Sequence, residues 1–168
     1  ALKLKKEKAI SCVFFGDAAV EEGVFFESIN FAIIHNLPVL FICENNLYSV
    51  YSGLGVRQPK GRKIFEMVNA LGIETDHGDG NKVEEVYEKT FYAKKKILEK
   101  KGPQFIEFET YRHREHCGPN FDNNLGYREE KEFLAWKERD PLRPFFENNT
   151  NLDPDIISRI TEEIKEAH

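Results

Sequence analysis

The sequence predicts an α/β fold, a parallel sheet with flanking helices, and three observations carry that prediction. Ile10–Phe15 (ISCVFF) and Val39–Cys43 (VLFIC) are short unbroken apolar runs, the pattern of strands buried on both faces. Between them Glu22–Asn36 reads as a helix, which makes a βαβ unit. The alternation then continues as β-α-β-α-β-α-β followed by helices, and that order argues for an open parallel sheet.

Taken in order, Ile10–Phe15 stops at Gly16-Asp17. The helix over Glu22–Asn36 is apolar over much of its surface (Val24, Phe25, Phe26, Ile29, Phe31, Ala32, Ile33, Ile34), which predicts burial by more than one neighbour. Pro38 ends it and the second strand begins. Leu47–Lys60, with Gly53, Gly55 and Pro59, reads as a loop. Ile64, Val68 and Leu71 follow at helical spacing, then a short strand near Ile73 leads to His77-Gly78-Asp79-Gly80, read as a tight turn. Val83–Lys101 is a helix stopped by Gly102-Pro103, and Phe105–Tyr111 is a further strand. Arg112–Tyr127 is a polar loop. Glu129–Arg139 is helical and broken at Asp140-Pro141. A last helix starts near Pro154, with Asp153 as its N-cap and Pro154 at the first helical position. Residues 1–127 are expected to form one α/β domain, with 128–168 a helical extension packed on it.

Composition narrows the function classes. The chain has 168 residues, enough for one domain with a real core, and a net charge of −5. No basic stripe points to nucleic acid, and the lysines at Lys3–Lys8 and Lys94–Lys101 read as solvated helix faces. No apolar run has membrane-spanning length and no signal peptide is visible. The 14 phenylalanines favour deep burial or a large interface. Cys12, Cys43 and Cys117 form no CxxC pair, so a reducing compartment is the default. Cys12 and Cys43, set in apolar runs, read as small core residues.

The chemistry concentrates at two strand ends. In open α/β sheets, ligands bind outside the carboxyl ends of the strands. Asp17 ends the first strand, and Asn45-Asn46 end the second. If those strands are neighbours, their tips lie about 5 Å apart. A carboxylate and a carboxamide there can hold one hard cation through oxygen, and Mg²⁺ commonly takes its remaining ligands from phosphate. Small residues at Gly16, Ala18 and Ala19, with a helix N-terminus near Ala19–Glu22, would let a diphosphate approach the backbone. Taken singly, Asp17 is also a plain helix cap and Asn45-Asn46 a plain turn. Their co-location is what favours a site.

The segment from Gly16 to Asn46 resembles the thiamine diphosphate motif, which opens with Gly-Asp-Gly and closes with Asn-Asn. More narrowly, the chain resembles the alpha subunit of the first component of 2-oxo acid dehydrogenases (pyruvate, branched-chain 2-oxo acid and acetoin dehydrogenases). The matching residues are Glu22-Gly23, Glu27, Asn30, Leu37-Pro38-Val39, Glu44-Asn45-Asn46, Tyr48, Asp79-Gly80-Asn81, Lys101-Gly102-Pro103, Thr110-Tyr111-Arg112, His116, Tyr127-Arg128 and Trp136 with Asp140-Pro141. The resemblance implies thiamine diphosphate and Mg²⁺ as cofactors. Asp17, Asn46 and the main-chain carbonyl of Tyr48 would be the metal ligands, and Gly16, Ala18 and Ala19 would lie against the diphosphate. Asn45 is expected to face away from Asn46, as neighbours on an extended chain do. The family usually has glycine where this chain has Ala18. Alanine is costly there if φ is positive and harmless if φ is negative, and the intact remainder of the motif favours negative φ.

The third strand delivers Tyr111-Arg112-His113-Arg114-Glu115-His116-Cys117 to the same edge. The resemblance implies that His116 lies on a loop near the cofactor and acts on substrate or diphosphate, with Arg112 beside it. A histidine can exchange a proton near neutrality, and an arginine can hold a carboxylate or phosphate bidentately. Relatives often have serine after this histidine, in some of them phosphorylated, but here it is Cys117, so that control is not expected.

The function implied is oxidative decarboxylation of a 2-oxo acid with transfer of the acyl unit. A beta subunit would complete a shared active site in a heterotetramer, and a lipoyl acyltransferase is a further partner. The resemblance also implies cofactor contacts upstream of the first strand, so this chain alone is expected to be inactive. The expected location is cytoplasmic, or an organellar matrix in a eukaryote. A catalytically silent scaffold subunit and an acetoin-type enzyme acting on another substrate stay open. A generic nucleotide-binding domain does not fit, because neither GxGxxG nor GxxxxGK[ST] occurs.

Overall fold

The computed structural model describes residues 1–143 and 154–166. Nine elements carry the architecture. They are β1 (Ser11–Gly16), α1 (Gly23–Ile34), β2 (Val39–Asn45), α2 (Ile64–Asn69), β3 (Glu74–Asp79), α3 (Val83–Leu98), β4 (Gln104–Glu109), α4 (Glu130–Lys137) and α5 (Pro154–Glu166). The expected cap Asp153 lies outside the described residues.

The four strands form one parallel sheet in the order β1-β2-β4-β3. Register places Gly16 beside Glu44 and Asn45 beside Glu109, so the carboxyl ends of β1, β2 and β4 share one edge.

Side-chain alternation along β2 and β4 builds two core layers. Phe41, Cys43 and Phe105 face α1 and α2, where they meet Phe25, Ile29, Ala32, Ile64 and Val68. Leu40, Ile42, Ile106 and Phe108 face α3, where they meet Ala93 and Ile97. Ile29 and Phe105 are fully buried. Each such side chain contributes roughly 1.5–3 kcal/mol.

Several expectations need correction. The first strand is not buried on both faces, because among the described residues β1 is the sheet's outer strand and pairs with β2 alone. Helix α3 packs over β2, β4 and β3 but stops short of β1, so Cys12 and Phe14 are exposed. Cys12 is therefore no core residue, while Cys43 is.

Helix α1 buries only the stripe Phe25, Ile29 and Ala32, leaving Val24, Phe31 and Ile34 at 64%, 58% and 73% exposure. Its expected second neighbour is absent from the described residues, and β1 is largely open as well.

His77-Gly78-Asp79 is not a turn. It continues β3, held by pairing of His77, Gly78 and Asp79 with Glu107, Phe108 and Glu109 of β4. The turn comes later, where Lys82 N–H reaches back to the Asp79 carbonyl at 3.1 Å and the Asp79 carboxylate accepts from Asn81 N–H at 2.9 Å. Gly80 is required there, since a Cβ would lie 2.8 Å from the Glu109 carbonyl oxygen.

The segment read as a plain loop, Leu47–Lys60, holds a miniature hairpin (Tyr48–Ser49 with Ser52–Gly53) and one helical turn, Leu54–Arg57. Both matter for the site.

Candidate functional site at the carboxyl edge of the sheet

Asp17 leaves the end of β1 and starts a 3₁₀ turn, Asp17–Glu21, which Glu22 closes in extended conformation before α1 begins at Gly23. The N–H groups around Ala18 and Ala19 thus belong to a 3₁₀ turn and not to the first turn of the long helix. Ala18 has negative φ, since the non-glycine residues of positive φ are Lys6, Asn36, Leu47, Val50 and Lys100. Alanine is unstrained there. A Cβ on Gly16 would meet nothing within 4 Å, so the backbone at this corner is open to approach.

The 3₁₀ turn packs against the end of β2 and against Tyr48–Ser49. Asp17, Asn46 and Tyr48 are thereby brought to one corner of the sheet.

Asp17 is 1% exposed. A carboxylate this buried needs a positive or hydrogen-bonding partner, because desolvating an unpaired charge is very costly. Arg57, from the helical turn, supplies it by ion-pairing with Oδ2 through Nη2. Its Nη1 donates to Glu21 Oε1 at 2.6 Å, and its Nε donates to the Ser52 carbonyl at 3.1 Å. Gln58 Nε2 also donates to Glu21 Oε1, at 3.0 Å. The guanidinium is locked on three sides.

The Asn pair divides its work. Asn45 is buried, and its Nδ2 donates to Glu107 Oε1 at 2.7 Å while its Oδ1 accepts from Leu47 N–H at 3.1 Å. Asn46 is half-buried, and its Oδ1 accepts from Tyr48 N–H at 3.1 Å. Two successive side chain-to-backbone turns fold the chain tightly, and Leu47 between them takes φ 69°. The side-chain oxygen of Asn46 is so held within one turn of the Tyr48 backbone. The Tyr48 hydroxyl donates to Glu132 Oε2 of α4 at 2.7 Å. Burial first, then that bond, pushes the phenol well above its ordinary range.

The donor set is a buried carboxylate, a carboxamide oxygen and a backbone carbonyl, all hard oxygens of the kind Mg²⁺ selects. No group of three His, Cys, Asp or Glu side chains suited to a metal occurs among the described residues. A soft or imidazole-rich site is thus not what this corner offers. Cys43, inside the sheet below, is held neutral, chiefly by burial and then by the carboxylates of Glu107, Asp17 and Glu44.

The second polar cluster is built around Asp122, 1% exposed. Its Oδ1 ion-pairs with Arg128, and its Oδ2 accepts from the Tyr127 hydroxyl at 2.5 Å and lies 3.5 Å from Arg112 Nη1. Burial raises this carboxyl, but the Tyr127 bond and the Arg128 charge outweigh it and hold the acid below its ordinary value. Arg112 is spent on the same framework. It donates to the Arg114 carbonyl at 2.8 Å, the Val50 carbonyl at 2.8 Å and the Tyr127 hydroxyl at 3.1 Å. The network ties the 112–128 loop to the Tyr48 hairpin.

His116 sits exposed in a turn of that loop, beside exposed Cys117. No hydrogen bond or ring contact links His116 to Asp17 or Asn46 among the described residues. Of the sequence-predicted residues, the structure gathers Gly16, Asp17, Ala18, Ala19, Asn46 and Tyr48 at one corner, sets Arg112 in the framework of the loop, and leaves His116 on its surface.

Sequence reasoning missed Arg57, Glu107 and Asp122. Glu107 had a signal, an acid set between Phe105-Ile106 and Phe108 in the strand Gln104–Glu109. Arg57 and Asp122 had none, because their partners come from loop folding that no periodicity encodes.

Comparison with known proteins agrees with this architecture. The family model described as the E1 component of dehydrogenases matches residues 1–167. The pyruvate dehydrogenase E1 component subunit alpha of Staphylococcus aureus (strain Mu50) is 31% identical over 174 residues, covering 99% of this chain and 46% of the relative. The subunit of the same name from Bacillus cereus is 28% identical over 168 residues, covering 98% and 45%. The chain thus spans about half the length of the curated relatives it matches. Among solved structures, transketolase from Campylobacter jejuni superposes with a TM-score of 0.55 at 19% identity, covering 86% of this chain and 29% of that one. That likeness shows the fold. With the family model spanning nearly every residue, the chain belongs to the dehydrogenase E1 component family.

Proposed function

We propose that this chain is the diphosphate-anchoring part of a thiamine diphosphate-dependent 2-oxo acid dehydrogenase alpha subunit. One observation carries the reading. Buried Asp17 at the tip of β1 stands beside Asn46 and Tyr48 at the tip of the neighbouring parallel strand. In this reading Asp17, Asn46 and the carbonyl of Tyr48 hold Mg²⁺, and the open backbone at Gly16, Ala18 and Ala19 receives the diphosphate. When bound, thiamine diphosphate supplies the carbanion chemistry that releases CO₂ from a 2-oxo acid.

The chain's own residues orient and anchor. Arg57 fixes Asp17, and the Asn46–Tyr48 turn sets the facing oxygens. The Asp122 network carries the loop on which exposed His116 can reach an incoming carboxylate or exchange a proton with it.

A beta-type partner subunit is part of the reading. Support comes from the large apolar side chains left open on α1 (Val24, Phe31 and Ile34) and on the outer strand β1 (Val13 and Phe14), since exposed apolar surface of this kind marks interaction surfaces. A lipoyl acyltransferase as acyl acceptor, and a cytoplasmic or organellar-matrix location, go with it, and the three free thiols suit a reducing compartment. No helix among the described residues is long and apolar enough to cross a membrane. The scaffold alternative drew on Ala18 and on the unusual loop sequence Gly118–Asn124, and negative φ at Ala18 removes the first of these grounds.

The test is calorimetry on the full-length subunit assembled with its partner. Asp17→Ala should abolish Mg²⁺-dependent binding of thiamine diphosphate. Affinity equal to that of the parent protein would refute the assignment.

A further inference from the structure

Arg57 raises a question that the cation site alone does not answer. Its guanidinium already satisfies the Asp17 carboxylate through Oδ2, and it is anchored there by Glu21 and by the Ser52 carbonyl. It is largely buried, with a side-chain exposure of 11%. A divalent ion on the other oxygen of the same carboxylate would sit a few ångströms from this fixed positive charge. Repulsion between them is strong in a part-buried setting, because screening by solvent is weak. Side chain and backbone hold Arg57 in place, so moving it away would break three contacts at once.

A diphosphate changes the sign of the balance. It brings more negative charge than one divalent ion neutralises, and the surplus sits favourably beside a guanidinium. The same arginine that opposes a bare cation therefore favours a cation that arrives with a diphosphate.

We propose that Arg57 is a positioning residue that makes cation binding at Asp17 conditional on the diphosphate, so that the site takes the metal and the diphosphate together and rejects the metal alone. This rests on the reading of Asp17 as a cation ligand. Two features of Arg57 have separate parts. Its charge sets the conditionality, and its fork holds the carboxylate in one rotamer. By linkage, the coupling is reciprocal, and the metal must strengthen diphosphate binding by the same factor.

The experiment uses Mn²⁺ as a spectroscopic stand-in for Mg²⁺, titrated into the full-length assembled protein and followed by electron paramagnetic resonance, with and without thiamine diphosphate. Arg57→Gln should bind Mn²⁺ alone about tenfold more tightly than the parent protein, the scale of one close charge pair, and should lose most of the gain that the diphosphate confers. Arg57→Lys keeps the charge and should match the parent in the metal-only titration. Equal metal-only affinity in Arg57→Gln and parent would overturn the proposal, as would Arg57→Lys behaving like Arg57→Gln. Asp17→Ala separates the two levels of the argument. If it binds Mn²⁺ with thiamine diphosphate as the parent does, Asp17 is no cation ligand and the underlying reading fails, whatever Arg57 does.

Discussion

The Asn45 carboxamide and the Glu107 carboxylate meet inside the protein, Nδ2 to Oε1 at 2.7 Å, and join the tip of β2 to the middle of β4. The other oxygen of Glu107 accepts Phe65 N–H at 2.8 Å, at the start of α2. A buried acid is tolerable here because both of its oxygens are used, one of them at a helix N-terminus.

Glu107→Ala should lower stability by about 2–4 kcal/mol, since it strands one buried and one part-buried donor at roughly 1–3 kcal/mol each with partial relaxation. Glu107→Gln should cost less. Urea denaturation midpoints measure both, and identical midpoints for Ala and Gln would show that the two hydrogen bonds carry no weight.

Leu47 sits between the two Asn-centred turns with φ 69°, a left-handed conformation that costs a branched side chain about 1 kcal/mol or more. Leu47→Gly should leave stability unchanged or raise it by up to about 1 kcal/mol, whereas Leu47→Val should lower it. Thermal unfolding of the two variants decides, and a Gly variant well below the parent would mean that side-chain packing outweighs the backbone term.

The Asp122 network predicts acid sensitivity with a definite sign. Its carboxyl is held below the ordinary value despite burial, so the folded state binds its proton less readily than the unfolded chain does. The stabilisation is present above the unfolded value, near pH 4, and disappears as pH falls through the lower folded value. Asp122→Asn should therefore flatten the stability profile below about pH 4 relative to the parent, read from denaturation at a series of pH values. The 112–128 loop should become protease-sensitive in the same variant.

The open face of α1 should behave as an assembly surface. Phe31→Glu, at a position 58% exposed, should leave the fold intact and abolish association with the partner subunit, as measured by sedimentation. By contrast Ile29→Ala, on the buried stripe of the same helix, should cost about 2–5 kcal/mol of stability without a specific effect on assembly. A Phe31→Glu protein that still assembles would place the interface elsewhere.

His116→Ala should lower turnover of a 2-oxo acid by the assembled enzyme while leaving cofactor affinity mostly intact. Steady-state kinetics with calorimetry tests the split, and full activity would remove His116 from the reaction.

Much of the fold was legible because β2 and β4 and the inner stripe of α1 obey simple periodicities. An unbroken run such as VLFIC means burial on both faces, and Leu40, Phe41, Ile42 and Cys43 are all buried. The same rule failed on ISCVFF, because the rule reads what a strand can bury and says nothing of whether a covering layer is present. His77-Gly78-Asp79 was misread for a local reason, since two glycines flanking an aspartate look like a turn unless cross-strand pairing holds them extended. At the candidate site, strand ends place Asp17 and Asn46, whereas Tyr48 entered through the family resemblance. Arg57 was not, as its guanidinium reaches Asp17 across 40 positions of sequence through a loop. The residues that decide how the site behaves are thus the ones whose contacts are least local.

The outer position of β1 has a practical consequence for anyone handling the chain by itself. On the side away from β2, Ser11–Gly16 has no partner strand among the described residues, and it is an uncharged six-residue run that contains Val13, Phe14 and Phe15. The opposite border strand, β3, carries Glu74, Asp76 and Asp79, charges that discourage further pairing. Only one border is protected, so isolated chains have a template for stacking strand on strand into fibrillar aggregates. Co-expression with a subunit that caps this border, or a lysine placed at Cys12, is the remedy that the sheet itself prescribes.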